Sequence, residues 1–121
     1  MDSPKSILVV DDDPNLRQTL VLIIRNAGYE VFFAENAQQC LLLLKSRGDH
    51  LLVLDHKIPD MNGLSLLAVI RRMYPGLPVL FLTGNESAEL KKTTLEMGVR
   101  GYLVKPVDPE EILDRIHAIC R

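Results

Sequence analysis

The sequence predicts a doubly wound α/β domain built from five parallel strands and five helices. Short apolar runs alternate with longer amphipathic runs five times along the chain, at 6–10, 30–33, 51–54, 78–82 and 101–104 for the short ones. Most short runs, such as SILVV and PVLFL, are continuously apolar, which is typical of strands covered on both faces. No linker, repeat or low-complexity segment interrupts the alternation, so the 121 residues are predicted to form one domain.

The first two helices have recognisable ends. The first follows helical spacing from Leu16 and stops at Gly28. The second begins at Asn36, with Gln39 three residues later in a capping-box pattern, and ends near Gly48. The strand between them, EVFF, is the least apolar of the five and is therefore predicted to lie at an edge of the sheet.

The last three helices are equally well delimited. The third covers about 64–73 and is closed by Pro75, and the fourth, about 87–97, is the most polar. The fifth begins at DPEE, with Asp108 as N-cap and Glu111 completing a capping box.

Composition excludes several classes of protein. The net charge of −2 provides no basic field, so direct binding to nucleic acid or to an anionic membrane is not expected. The longest apolar runs are too short to span a membrane. Cys40 and Cys120 are predicted to lie on opposite faces of the sheet, too far apart to pair. These features predict a cytoplasmic protein with free thiols.

The residues at the strand ends carry the chemistry. Asp11 and Asp12 follow the first strand, Asp55 the third, Thr83 the fourth and Lys105 the fifth. Ligands of doubly wound sheets bind at the carboxyl ends of the strands, so these side chains are expected to meet. Clustered carboxylates repel one another unless a cation neutralises them, and hard oxygen ligands suit Mg²⁺. A carboxylate beside Mg²⁺ can attack a phosphoryl group, while an ammonium and a hydroxyl stabilise the new charge.

These motifs resemble the receiver domain of two-component response regulators. The resemblance rests on VVDDD, LVLDHKIPDMNG, LTG and GYLVKP in that order, and it covers the chain from Ile7 to the last helix. It implies a flavodoxin-like fold with the strand order 2-1-3-4-5.

The resemblance assigns a role to each matching residue of the metal and phosphoryl site. It implies that Asp55 is the phosphoacceptor, that Asp12 binds Mg²⁺ directly, and that Asp11 supports the metal largely through water. It implies that the backbone carbonyl of Lys57 is a further metal ligand, beside Asp55 itself. Asn85, like Lys57, is expected to flank the phosphoryl group and tune its lifetime.

Three further residues match the family's switch. Thr83 matches the hydroxyl that turns toward the phosphoryl oxygen, and Lys105, followed by Pro106 after a cis peptide, matches the lysine that pairs with it. Tyr102 matches the aromatic side chain whose rotamer follows Thr83. Phosphorylation is expected to reshape the face made by the fourth helix, fifth strand and fifth helix.

The same resemblance implies partners. The phosphoryl donor would be a sensor histidine kinase or a small acyl phosphate, and the domain itself would catalyse the transfer without turning over an independent substrate. The sequence GVRGY lacks the acidic pair typical of one dimerising subfamily, which argues against that dimer, whereas a homodimer of another kind on phosphorylation is compatible with the sequence. The chain fits either a complete single-domain regulator or, as expected here, the N-terminal part of a longer protein with an output domain.

Three alternative functions fit part of the sequence pattern. A haloacid-dehalogenase-type phosphatase also forms an aspartyl phosphate, but it needs an acid/base two residues after the nucleophile, where Lys57 stands. A flavodoxin-like or nucleotide-binding module would need a glycine-rich loop after the first strand in place of the acids. A pseudo-receiver that never takes phosphate is not favoured, because all the matching residues are present.

Two residues beside the site have simpler interpretations. Asp13 precedes a proline, which predicts that it caps the first helix. His56 follows Asp55 directly, and adjacent strand residues point to opposite faces, so His56 is predicted to be packed or solvated rather than a metal ligand.

Overall fold

The computed structural model describes residues 6–46, 50–85 and 87–120. Strands and helices alternate along the chain in the order β1 (Ser6–Val10), α1 (Pro14–Asn26), β2 (Glu30–Ala34), α2 (Ala37–Ser46), β3 (His50–Asp55), α3 (Gly63–Met73), β4 (Val79–Thr83), α4 (Ala88–Glu96), β5 (Gly101–Val104) and α5 (Pro109–Cys120). The strands are parallel in the order β2-β1-β3-β4-β5, which confirms the predicted fold and the edge position of β2.

The sheet is covered on both faces, which explains why its strands are continuously apolar. On one face α1 and α5 pack against the sheet through Leu20, Ile24, Ile112 and Ile116, all fully buried. On the other face α2 and α3 contribute their own buried side chains, among them Cys40 and Leu67. The amphipathic helices therefore enclose the sheet and leave its carboxyl edge as the open side.

The two cysteines follow the predicted separation. Cys40 on α2 is buried against one face of the sheet, Cys120 on α5 packs at the other, and both thiols are free. Burial raises the pKa of the Cys40 thiol to about 12, so this group stays protonated in the core. Among the described residues, no helix combines the length and apolar character that a membrane span requires.

The helix ends agree closely with the sequence signals. Gly28 and Gly98 follow α1 and α4 with φ of 100° and 80°, the left-handed conformation that glycine adopts without strain. Asn36 caps α2 by accepting the N–H of Gln39 at 2.8 Å. The side chain of Gln39 accepts the N–H of Glu35 at 2.9 Å, so the capping box reaches back one residue further than predicted. The predicted end of α2 at Gly48 lies outside the described residues.

The strands that carry the site differ slightly from the prediction. Asp55 and Thr83 are the last residues of β3 and β4 and still pair within the sheet, rather than following the strands. β4 begins at Val79 and not at Pro78, because proline has no N–H to donate to a neighbouring strand. The backbone at both residues is therefore fixed by the pairing of the strands.

Arg71 joins α3 to the segment after α4. Its guanidinium donates to the backbone carbonyls of Met97 at 2.7 Å, Leu77 at 2.6 Å and Gly98 at 3.0 Å. A cation at the carboxyl end of α4 also complements the helix dipole. This contact secures the end of a helix in which Thr94 is the only buried residue.

Candidate functional site

The carboxyl edge of the sheet carries an open cleft of about 440 Å³. It lies where the chain leaves β1, β3, β4 and β5, as expected for a doubly wound sheet. Its lining is polar and charged, and consists of Asp12, Asp13, Asp55, His56, Lys57, Gly84, Asn85 and Lys105.

Three carboxylates meet at this edge, as the sequence predicted. Asp11, Asp12 and Asp55 each offer an oxygen, and these oxygens lie within 4.8 Å of one another. Asp11 is 1% exposed and Asp55 4% exposed, whereas Asp12 is exposed to solvent. Two of the acids are therefore held rigidly by the fold, and the third stands at the mouth of the cleft.

Lys105 bridges the two buried acids. Its ammonium donates to Asp55 Oδ2 at 2.9 Å and to Asp11 Oδ2 at 3.5 Å. Burial alone would lower the pKa of Lys105, but the hydrogen bonds and charges of Asp55 and Asp11 raise it overall. The lysine therefore stays charged and offsets part of the repulsion between the acids. The bond that follows it, Lys105–Pro106, is cis, as the motif implied.

The pKa of the Asp11 carboxyl is shifted well above its usual value. Burial raises its pKa from 3.8 to about 6, and the charge of Asp55 acts in the same direction. The backbone N–H of Asp13, 2.8 Å from Asp11 Oδ1, and the charge of Lys105 act in the opposite direction without cancelling the shift. A buried acid that costs this much to ionise would gain from a nearby divalent cation.

Asp13, the third consecutive acid, has a structural role at the start of α1. The carboxylate of Asp13 accepts the N–H of Asn15 at 3.0 Å and that of Leu16 at 3.5 Å. Its backbone has the extended conformation of an N-cap, and Pro14 opens the helix. The predicted capping role of Asp13 is confirmed.

A tight loop follows the strand that ends at Asp55. Lys57 pairs with Asn62 in an isolated antiparallel bridge, and the N–H of Lys57 lies 3.4 Å from Asp55 Oδ1. Gly63 then approaches the strand so closely that a Cβ there would overlap the backbone of Asp55 and His56. Glycine at this position lets the loop fold back and hold Lys57 beside the acids.

The hydroxyl of Thr83 lies at the end of β4, fully buried. It accepts the N–H of Asn85 at 3.0 Å, and it lies 3.1 Å from Nδ1 of His56. Asn85 itself lines the cleft.

Tyr102 occupies the neighbouring strand. Its ring stacks on Phe81 with centroids 6.0 Å apart, and its hydroxyl is buried rather than in water. The side chain also lines a hollow of about 250 Å³ between α4 and β5, with Ser87, Ala88, Lys91 and Val104. Tyr102 therefore lies where a change at the end of β4 can reach the α4–β5 surface.

His56 is the residue whose role the sequence reasoning did not anticipate. The prediction that it packs is correct, since its ring lies 5.7 Å from that of Phe81, but it also contacts the hydroxyl of Thr83. The register of β3 and β4 pairs Asp55 with Leu82, so the next residues, His56 and Thr83, are neighbours on the other face. Strand register, which the sequence alone did not specify, would have revealed this pair.

The residues present fit a divalent cation. Carboxylate oxygens from Asp11, Asp12 and Asp55 lie close enough to share one ion, and Lys57, whose carbonyl could add another oxygen ligand, follows Asp55 by two residues. Such a set of hard oxygens, few in number and open to water on one side, matches what Mg²⁺ prefers.

The fold and the site together define a doubly wound α/β domain with three carboxylates and a lysine at the carboxyl edge of its sheet. The family model described as the response regulator receiver domain matches residues 7–117, and the chain belongs to this family. It is thus a receiver domain of two-component response regulators, a signalling domain and not an enzyme of substrate turnover.

Individual relatives support the same family assignment. The chain is 34% identical over 118 residues to the probable transcriptional regulatory protein TcrX of Mycobacterium tuberculosis, covering 98% of this chain and 50% of the relative. It is 33% identical to the phosphate regulon transcriptional regulatory protein PhoB of Pseudomonas aeruginosa, covering 97% and 52%. This chain thus spans about half the length of these two relatives.

A solved structure shows the same fold. The CheY-like response regulator receiver domain protein of Methanospirillum hungatei superposes with a TM-score of 0.88 at 34% identity, covering 96% of this chain and 93% of that one. The strand order and helix placement described above are therefore those of a receiver domain.

Proposed function

We propose that Asp55 accepts a phosphoryl group in a Mg²⁺-dependent reaction. The observation that carries this proposal is the Lys105 ammonium, 2.9 Å from Asp55 and 3.5 Å from Asp11 at the mouth of an acidic cleft. A lysine in this position partly neutralises a cluster of three acids and can pair with a phosphoryl oxygen once one arrives.

The chemistry is an in-line displacement. A carboxylate oxygen of Asp55 forms a bond to phosphorus while the bond between phosphorus and the donor breaks, and the donor atom keeps the electron pair. Asp11, Asp12, Asp55 and the carbonyl of Lys57 would hold Mg²⁺, which would neutralise charge on the phosphoryl oxygens. Lys105 remains charged and contacts the same oxygens.

Thr83 and Tyr102 transmit the effect of phosphorylation at Asp55 to the surface of the domain. A phosphoryl group on Asp55 offers the Thr83 hydroxyl a charged acceptor, which biases the domain toward a second conformation. Tyr102 lies between the end of β4 and the hollow beside α4, so its packing responds to the movement of Thr83. The face formed by α4, β5 and α5 is the surface that changes on phosphorylation and contacts the output domain or target protein.

The partners follow from the same assignment. The phosphoryl donor is a sensor histidine kinase or a small acyl phosphate. The phosphorylated domain then acts on an output domain or a target protein. The printed names of the two longer relatives, both transcriptional regulatory proteins, support an output domain, because about half of each lies beyond the match. The free thiols of Cys40 and Cys120 agree with a cytoplasmic location.

The test is intact-mass measurement after incubation with Mg²⁺ and acetyl phosphate. We expect the protein to gain the mass of one phosphoryl group, to lose that gain when Mg²⁺ is chelated, and to show none in Asp55→Asn. A wild-type protein that never gains this mass, or an Asp55→Asn variant that gains it equally, would contradict the proposal.

A further inference from the structure

The hydroxyl of Thr83 is engaged on two sides. The N–H of Asn85 points to Oγ1 at 3.0 Å, and Nδ1 of His56 lies 3.1 Å away. Thr83 is fully buried, so water does not substitute for either contact. Both partners come from the segments that directly follow β3 and β4.

The hydrogen-bonding capacity of a hydroxyl decides what His56 does. A threonine hydroxyl has one proton to donate and two lone pairs to accept with. The N–H of Asn85 uses one lone pair, and the proton needs an acceptor because the site is buried. Nδ1 of a neutral imidazole that carries its proton on Nε2 is such an acceptor, and it lies within hydrogen-bond distance.

Packing fixes the His56 ring in this position. The imidazole lies against Phe81, with ring centroids 5.7 Å apart, and Phe81 stacks in turn on Tyr102 at 6.0 Å. The backbone N–H of His56 donates to the carbonyl of Leu82 at 2.8 Å, which continues the pairing of β3 with β4. The imidazole is therefore held by the same aromatic row that contains Tyr102.

We propose that His56 is a positioning residue that retains the Thr83 hydroxyl in the unphosphorylated domain. Nδ1 accepts the one proton that the hydroxyl can donate, so a phosphoryl oxygen has to compete with His56 for it. This inference rests on the proposed function of Asp55 and Thr83. It identifies His56 as the group that sets how far the resting equilibrium lies from the active conformation.

The hydrogen bond can be tested without any phosphoryl group. Long-range ¹H–¹⁵N correlation spectra of the imidazole, recorded in mildly alkaline solution where free imidazole is neutral, distinguish the two tautomers. We expect His56 to carry its proton on Nε2, and the Nδ1 resonance to shift in Thr83→Val. A proton on Nδ1, or an Nδ1 resonance unchanged in Thr83→Val, would overturn the proposal, because the threonine proton would then be free.

The effect on switching can be tested with beryllium fluoride, which mimics the phosphoryl group on a carboxylate. His56→Phe keeps an aromatic ring against Phe81 but has no acceptor, so we expect it to bind beryllium fluoride and Mg²⁺ roughly threefold to tenfold more tightly than the wild type. His56→Asn, whose side-chain oxygen can stand close to the position of Nδ1, should restore most of the wild-type affinity. Equal affinity of the wild type and His56→Phe would overturn the proposal, as would an Asn variant that behaves like Phe.

The two proposals fail in different ways. A wild-type protein that binds no beryllium fluoride and gains no phosphoryl mass would contradict the function of Asp55, whatever the imidazole spectra show. A wild-type protein that is phosphorylated normally while His56→Phe binds beryllium fluoride no more tightly would contradict only the role of His56. Should His56→Phe fail to fold, the imidazole spectra of the wild type and of Thr83→Val still decide the question.

Discussion

Three consecutive acids in this chain carry three different tasks. Asp11 is buried and accepts a hydrogen bond from the Lys105 ammonium. Asp12 is exposed at the cleft, and Asp13 caps α1 by accepting N–H groups of its first turn. Adjacent carboxylates would repel one another in an extended loop. Here the strand end and the helix start point them to different partners, so the run of acids is stable.

Substitution of the exposed acid Asp12 and of the capping acid Asp13 should have different effects on phosphorylation and on stability. We expect Asp12→Ala to abolish Mg²⁺-dependent phosphorylation, because it removes the proposed direct metal ligand at an exposed position while leaving the fold intact. Asp13→Ala should lower the free energy of unfolding by about 1 kcal/mol, since it leaves two N–H groups of α1 without the cap. Urea unfolding and intact-mass phosphorylation assays on both variants measure the difference. Equal loss of phosphorylation in the two variants would show that this division of roles is wrong.

The buried acid makes stability depend on pH. Burial raises the pKa of Asp11 from 3.8 to about 6, so between these values the folded protein holds a proton that the unfolded chain has released. The metal-free protein is therefore favoured at the acidic end of that window, and the contribution of Asp11 to folding is lost as the pH rises through about 6. Asp11→Asn should flatten this dependence and raise the free energy of unfolding near neutral pH by about 1–3 kcal/mol.

Urea unfolding of the metal-free protein at a series of pH values measures this prediction. The wild type and Asp11→Asn should converge at the acidic end of the window and diverge above it. An Asp11→Asn variant that is less stable than the wild type near neutral pH would contradict the account of Asp11 as an acid that is costly to ionise.

At the scale of an element, the loop between β3 and α3 depends on one close approach. A Cβ at Gly63 would overlap the backbone of Asp55 and His56, so no other residue fits without moving the strand end. The bridge between Lys57 and Asn62 closes the same loop. The position of Asp55, the proposed phosphoacceptor, and of the neighbouring Lys57 is therefore set by a glycine in the first turn of α3.

Replacing this glycine should affect stability and reactivity together. We expect Gly63→Ala to lower the free energy of unfolding by about 1–3 kcal/mol through overlap with the strand, and to slow phosphorylation because Asp55 shifts. Gly76→Ala is the matched control, because an added Cβ there meets nothing within 4 Å. That control should be neutral or stabilising by up to about 1 kcal/mol. Equal destabilisation by the two substitutions, in thermal or urea unfolding, would rule out the close approach as the cause.

At the scale of the whole molecule, the alternation of strands and helices determines which side chains meet. Parallel strands all end at one edge, so the acids at the ends of β1 and β3 and the lysine after β5 come together, although Asp11 and Lys105 are 94 positions apart in the sequence. The helices cover both faces and leave this edge open. The chemistry therefore depends on the topology as much as on the individual residues.

Much of this arrangement could be predicted, because apolar periodicity and capping residues are local signals. They located the five strands, most helix ends, the cap at Asp13 and the acids at the strand ends. The interactions that were missed join distant parts of the chain. The carboxylate of Asp60 accepts the N–H groups of Ala37 and Gln38 at the start of α2, and neither motif indicates the other. The contact of His56 with Thr83 likewise needs the register between β3 and β4.

The most direct test of the account is to locate the phosphoryl group on the chain. An acyl phosphate is reduced by borohydride, which converts the phosphorylated aspartate to homoserine, and peptide mass spectrometry then identifies the position. After incubation with Mg²⁺ and acetyl phosphate we predict homoserine at position 55 alone, and none when Mg²⁺ is chelated. Homoserine at position 11 or 12, or a phosphorylated protein that yields no homoserine at 55, would contradict the central claim.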